Sequence, residues 1–363
     1  MKKRGVLTKS KAQASFEYII LFSLFIAILF IVLYYASTTT NNFIKIHEID
    51  DSVKTLTERV NQIGAMAPGS EKIISYKIPS EILEAYINKG EITFKEEYNE
   101  LIIDHHYPTD YSSFGFLTIG KSKQHVILRK EDNGYVSINP LRIPNITKDM
   151  ILYLNFELGN STHTIDATGN NNHGEYYISS LPDCSVDGIL GTACEFDNSD
   201  RIDFATSITN NSIKFTLSSW FKTSDTGNNG IMSIGVSSGT WRLIILNNGK
   251  INFTERKGNS DDNFNLLSTT TYNDNEWHLV TTTWDGTPMP NSVKLYMDGS
   301  LVSSTTAKNY STDYFFTKNM TIGNGNAPGY FFNGNLDEIM IWNRTLTANE
   351  VFELYEITGP NKN

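Results

Sequence analysis

The chain has 363 residues, long enough for two globular domains beyond any membrane segment. Its formal net charge of −10 argues against a nucleic-acid partner, and with only two cysteines it is no small stapled scaffold. The first element is apolar: from Phe16 to Tyr35 the only charge is Glu17. At about 1.5 Å per residue such a run spans a bilayer core of roughly 30 Å. Lys2, Lys3, Arg4, Lys9 and Lys11 precede it. By the positive-inside rule they hold the N-terminus in the cytoplasm and send residues 36–363 outside, which makes the chain single-pass.

A secretory signal peptide would close its apolar run with a small-residue cleavage site, whereas this one ends in Tyr34 and Tyr35, which suit an interface. Cleavage is therefore expected before the helix. Gln13, Ser15, Glu17 and Tyr18 resemble the Q-x-S-x-E-Y motif of archaeal class III signal peptides. The resemblance implies a leader peptidase acting between Ala12 and Gln13, a basic leader over 1–12 and a pilin-like membrane helix over 13–36. It further implies self-assembly, in which Glu17, fifth in the mature chain, pairs with a neighbour's free N-terminus. A carboxylate inside a membrane-length segment is costly and rarely kept without a use; the competing reading is an ordinary signal anchor. Loss of the five leader charges would take the formal net charge from −10 to −15.

Residues 37–70 read as an amphipathic helix extension and linker. Ile46, Ile49, Val53, Leu56, Val60 and Ile63 form a heptad seam, stopped by Gly64 and Ala67-Pro68-Gly69-Ser70. The seam serves either assembly or packing on the chain's own next domain. Over 71–145 the period changes to two, predicting a small β-rich domain. Its clearest feature is a hairpin turning at Asp132-Asn133-Gly134 between Val126, Leu128 and Val136, Ile138. ITFKEEYNELIID and FGFLTIG are further strand candidates, and DHHYPTD reads as a solvated loop.

Residues 146–357 show short strands with turn signals, and 358–363 form a tail. Asn248-Gly249 and Asp298-Gly299 should close two-residue hairpins through left-handed turns. FTLSSWFKT (215–223), EWHLVTTTWDGT (276–287), VKLYMDGSLV (293–302) and FNGNLDEIMIWNRTLTANEVFELY (332–355) resemble the successive signatures of a laminin G-like, concanavalin A-type jelly roll. LYLNFELGN, DATGNNNHGE and ACEFDNSDRIDF are similar to that family's first strands. The expected fold is thus a long N-terminal transmembrane and amphipathic α-helix, then mainly-β domains ending in an antiparallel jelly-roll β-sandwich. Trp220, Trp277, Trp284 and Trp342 match signature strands and are expected in the core.

Cys184 and Cys194 flank nine residues that include Gly188 and Gly191. A disulfide is favoured by the external placement; reduced buried thiols or two metal ligands are the alternatives. Seven N-x-S/T sequons, at Asn145, Asn160, Asn210, Asn252, Asn309, Asn319 and Asn343, all fall in the part placed outside and are candidate glycosylation sites. Asp166, Asn170 and Asn172 offer oxygens on a tight turn, hard ligands of the kind calcium takes. In the resembled family an acid beginning the last strand completes such a site, a position matched by Asp337; the alternative is a plain turn and a strand cap. Trp241, Tyr310 and Tyr330, in or beside expected loops, are a candidate ligand platform.

No E-x-D-x-E-type run that would set a retaining glycosidase's acids in one cleft exists, and Asp337 and Glu338, being adjacent, should face oppositely. No Ser-His-Asp set or phosphate loop is apparent. The expectation is therefore a membrane-anchored, pilin-like surface protein that binds an extracellular glycan or protein ligand and is not an enzyme. A filament subunit with a non-binding jelly roll, or a glycan-degrading enzyme, are the alternatives.

Overall fold

The computed structural model describes residues 26, 28–30 and 52–359, except, within the last range, 77–81, 89, 99–100, 118–123, 141–144, 158–161, 178–180, 198, 205–212, 236–239, 258–262, 309–319 and 326–329. Its contacts divide the chain into Met1–Val53 and Lys54–Asn363. Of the expected membrane helix, Ile26 and Ile28, Leu29 and Phe30 are helical, and the rest of 13–36 lies outside the described residues, as does the leader motif Ala12, Gln13, Ser15, Glu17, Tyr18. Among the described residues no helix is long and apolar enough to cross a membrane.

The amphipathic extension is a helix over 52–64. Leu56, Val60 and Ile63 of its seam are buried. Asn61 Oδ1 accepts a hydrogen bond from the Asp110 backbone N–H at 2.8 Å, and a Cβ on Gly64 would strike the Tyr111 ring. This half of the seam packs on its own β domain.

In the β-rich segment, Glu71–Tyr76, Gln124–Lys130, Val136–Pro140 and Ser113–Gly115 form a four-stranded sheet. The hairpin expected at Asp132-Asn133-Gly134 joins its second and third strands, with Gly134 at φ +87°. Ile82–Asn88, Glu91–Tyr98 and Leu101–Pro108 form a second, three-stranded sheet. The run ITFKEEYNELIID is thus a hairpin of two strands, and DHHYPTD is not the expected loop. Asp104 to Pro108 continue the last strand, because Phe94 and Tyr107 alternate inward there and are buried. His106 Nδ1 lies 2.8 Å from Glu91 Oε1 across the pair.

The jelly roll is two packed antiparallel sheets. The first runs Asp183–Asp187, Thr192–Phe196, Gly334–Trp342, Phe215–Lys222, Trp277–Trp284, Val293–Met297, Ser300–Thr305, with Met150–Leu154 also paired to Gly334–Trp342. The second runs Phe264–Leu267, Lys250–Lys257, Thr240–Asn247, Asn228–Gly235, Met320–Ile322, Ile202–Phe204, Gly174–Tyr176, His163–Thr164. Both predicted two-residue turns close as expected, with Asn248 and Gly249 at φ +51° and +75° and Asp298 and Gly299 at +49° and +75°. Cys184 and Cys194 are bonded across the edge hairpin of the first sheet.

The inner face carries Phe215, Leu217, Phe221, Leu336, Ile339 and Ile341 into the intersheet core, where Phe215 meets Trp284 edge to face at 5.9 Å. The outer face of the first sheet is covered too. Trp220, Leu279, Met340 and Trp342 share a second cluster with Phe114 and Phe116 of the small β domain and with Val351 and Leu354 of the helix Ala348–Thr358. That helix starts in a capping box between Thr347 and Glu350. Several hydroxyls on the central strands are therefore buried and paired: Ser218 Oγ with Thr281 Oγ1 at 2.8 Å, Thr216 Oγ1 donating to the Arg344 carbonyl at 2.9 Å.

Candidate functional site

Where the outer face of the first sheet emerges from this cover, a cleft of about 500 Å³ opens. Its wall follows from strand register. Glu195, Asn335 and Lys222 are cross-strand neighbours on three adjacent strands, two residues along from the buried layer of Asp337 and Trp220. Loops 223–226 and 333–334 and Asn275 complete the lining. Gly334, at φ +142°, lets its strand approach the Lys222 carbonyl, which a Cβ would strike.

The loops are fixed by internal hydrogen bonds. Thr223 Oγ1 donates to the Asn333 carbonyl at 2.6 Å and accepts from the Asp225 N–H at 3.0 Å. The Asn275 N–H reaches the Thr223 carbonyl at 2.9 Å, and Asp225 Oδ1 accepts from the Gly227 N–H at 2.6 Å. By contrast, the side chains of Glu195, Lys222, Asn275 and Asn335 make no hydrogen bond or ion pair among the described residues. A rigid frame thus presents free donors and acceptors.

Asp337 and Glu338 lie just beyond the cleft on the same strand, and the expectation that they face oppositely fails. The ladder with Phe215–Lys222 shifts register between Ser218 and Trp220, and Glu338 sits at φ +49°, a β-bulge that turns both acids under cover. Both are buried. Asp337 Oδ2 accepts from the Ile189 N–H at 2.9 Å and the Leu190 N–H at 3.4 Å, inside the disulfide-closed loop; Glu338 Oε2 accepts from Tyr153 Oη at 2.7 Å. Glu157 Oε1 takes the Thr192 N–H at the same loop. Burial, then the neighbouring Glu338 charge, push the Asp337 carboxyl well above its usual range, and burial pushes Glu338 up to about 8. No lining residue of the cleft belongs to this acid layer.

The four residues expected to hold calcium are each engaged by groups of the protein itself. Asp166 is buried and its oxygens are taken by N–H and O–H donors: Oδ1 by Tyr153, Thr168 N–H and Thr168 Oγ1, Oδ2 by the Asn172 N–H. Asn170 and Asn172 turn their amide N–H groups toward the carbonyls of Met150 and Ile151. Asp337 shares no hydrogen-bond partner with them. Among the described residues no group of three or more His, Cys, Asp or Glu could hold a metal ion.

The aromatic residues also separate. Trp220, Trp284 and Trp342 are fully buried as expected, whereas Trp277 is only half-buried beside Lys222. Trp241 lies in the strand Thr240–Asn247 opposite Gly235 and Arg256. Tyr330 is half-buried, its carbonyl accepting from Gly230 and Gly325, and Tyr310 lies outside the described residues. Tyr330 does not line the cleft. Of the sequons, Asn145 is exposed and Asn343 half-buried. Asn252 is buried in a strand with its amide donating to Asn265 Oδ1 and the Leu266 carbonyl, so the folded chain cannot carry a glycan there. Asn160, Asn210, Asn309 and Asn319 lie outside the described residues.

Comparison with known proteins adds to this geometry. Residues 10–35 match the family Class III signal peptide, and residues 196–352 match the Concanavalin A-like lectin/glucanases superfamily. The chain therefore carries a class III signal peptide and a concanavalin A-like jelly-roll domain, whose sandwich already begins at Met150–Leu154. No curated protein matches. Among solved structures, the binding domain of botulinum neurotoxin serotype D/C VPI 5993 is 18% identical at a TM-score of 0.45, covering 59% of this chain and 53% of that one. The binding domain of Paraclostridial Mosquitocidal Protein 1 is 16% identical at a TM-score of 0.45, covering 58% of this chain and 52% of that one. The botulinum neurotoxin serotype D binding domain is 18% identical at 0.46, covering 61% and 56%. The chain spans about half the length of these solved chains.

Proposed function

We propose that this protein is a membrane-anchored, pilin-like surface protein whose jelly roll binds an extracellular glycan or protein ligand, as in adhesion, rather than turning one over. The observation that carries the reading is the union in one chain of a class III signal peptide with a concanavalin A-like domain bearing an open polar cleft. In this reading a leader peptidase cuts after Ala12, the helix over 13–36 anchors the chain in the membrane or a pilus-like filament, and the β domains lie outside the cell. The paired acids Asp337 and Glu338 do not supply a hydrolytic centre in this reading, because both are buried, Asp337 under the loop 188–191 and Glu338 against Tyr153, and neither lines the cleft.

Two measurements test it. Mass spectrometry of the mature chain should give Gln13 as the first residue, and an intact Met1 would sink the processing step. The full chain in a detergent without a sugar headgroup should bind members of a glycan array or extracellular matrix proteins; binding to neither would leave only the filament reading. The calcium expectation is tested on the same chain: with Asp166 engaged by N–H donors, chelator should leave the melting temperature unchanged. A calcium-dependent rise that is lost in Asp166→Asn would restore the metal.

A further inference from the structure

We infer that the ligand site of this domain is the cleft walled by Glu195, Asn335 and Lys222, and that it takes a small neutral saccharide unit in preference to an acidic one. The inference rests on the recognition reading above and assigns it a place and a selectivity. That place is not the aromatic positions, since Tyr330 is not in its lining and the strand that carries Trp241 belongs to the second sheet.

Three observations carry it. First, the row is chemically graded. Adjacent strands stand about 4.8 Å apart, so across neighbouring strands the wall offers a carboxylate that only accepts, an amide that both donates and accepts, and an ammonium that only donates. A pyranose carries hydroxyls that each donate and accept around a ring of similar span. Second, these side chains have no partners among the described residues although they converge in a concave site. They are exposed or half-buried and so meet water, and a ligand here replaces water rather than breaking protein hydrogen bonds. Third, the lining is almost wholly polar, with Asn275, Asn333 and Asn335 supplying amides. Its volume lies within the range of about 300–1,000 Å³ for small-ligand sites, but the apolar lining usual there is missing. A hydroxyl-rich ligand fits such a lining and an apolar one does not.

Charge sets the selectivity. Glu195 and Asp225 face one Lys222 in the cleft, within a chain of net charge −10. A uronic or sialic carboxylate would gain one ammonium and meet two carboxylates.

The test uses the full chain in a detergent without a sugar headgroup. Probes are methyl glycosides of neutral hexoses and N-acetylhexosamines, each paired with the uronate of the same ring. Binding is followed by calorimetry and by indole fluorescence, to which Trp277 is the cross-strand neighbour of Lys222. The native chain should bind at least one neutral glycoside, more tightly than its uronate. Asn335→Ala and Lys222→Ala should each weaken binding about tenfold, the loss expected for one hydrogen bond to a charged or buried partner, with an unchanged melting temperature. Trp277→Phe should remove the fluorescence change and leave the calorimetric signal. Binding undiminished in both variants, or tighter for the uronates, overturns the assignment. So does a native chain that binds none of the glycosides; if it still binds the array or matrix proteins, only the cleft assignment falls and the recognition reading stands.

Discussion

Asn335 and Asp337 stand two residues apart on one strand, on the same face of the same sheet, yet one lines an open cleft and the other is buried. The difference lies in what each is covered by. Over Asp337 the disulfide-closed loop folds down and supplies N–H donors from Ile189 and Leu190; over Asn335 the cover ends. A polar row can be structural or available for binding depending on whether the protein provides its hydrogen-bond partners. The covered part should therefore respond to substitution through stability, and the open part through binding alone.

The largest effect is expected where the cover meets the sheet. Trp342 is fully buried and its indole N–H donates to the Ile146 carbonyl at 2.6 Å, so Trp342→Ala should cost about 3–5 kcal/mol in chemical denaturation. A loss under about 1 kcal/mol would mean that the cover is dispensable. Next is pH. The Glu338 carboxyl is raised by burial from 4.5 to about 8, and Asp337 is raised with it. Both hold protons more tightly folded than unfolded, with Tyr153 and Glu157 the other titratable groups acting on Glu338. The stability this pair contributes should be full below the unfolded-state values of the two acids, near pH 4, and be lost progressively as pH rises toward and through about 8. Glu338→Gln should flatten that slope, and an equal slope in the variant would show that the acids titrate normally.

Reduction of Cys184–Cys194 releases the loop that caps Asp337. It should cost about 2–3 kcal/mol on the loop-closure account, read as a lower melting temperature with reductant. An unchanged melting temperature would detach the loop from the stability of the covered face. The smallest effect belongs to the open part: Lys222→Ala should move stability by no more than about 0.5 kcal/mol, whatever it does to binding. A larger loss would show that Lys222 has a structural partner.

Much of the fold was readable because its signals are local. The hairpin turns need φ above zero at two successive positions, and Asn248-Gly249 and Asp298-Gly299 are residues that tolerate it. The alternation of Phe215, Leu217 and Phe221 states which face of a strand is apolar. Where two features had the same local signature, reading failed. ITFKEEYNELIID lacks a glycine at its turn and concealed a hairpin, and Trp277 carries the same signature as its buried counterparts although its neighbour is the cleft.

The amino-acid sequence by itself determined the strand pattern, the hairpin turns, the class III signal peptide and the concanavalin A-like signatures, because each depends on residues close together in the chain. Only the tertiary structure decided which polar residues are partnered. The bulge at Glu338 depends on the register against Ser218 and Trp220, more than a hundred residues away, and the cleft depends on strands ending at Phe196, Lys222 and Trp277 being brought beside Asn335. Burial and hydrogen bonding across such distances are properties of packing, and no local pattern of residues encodes them.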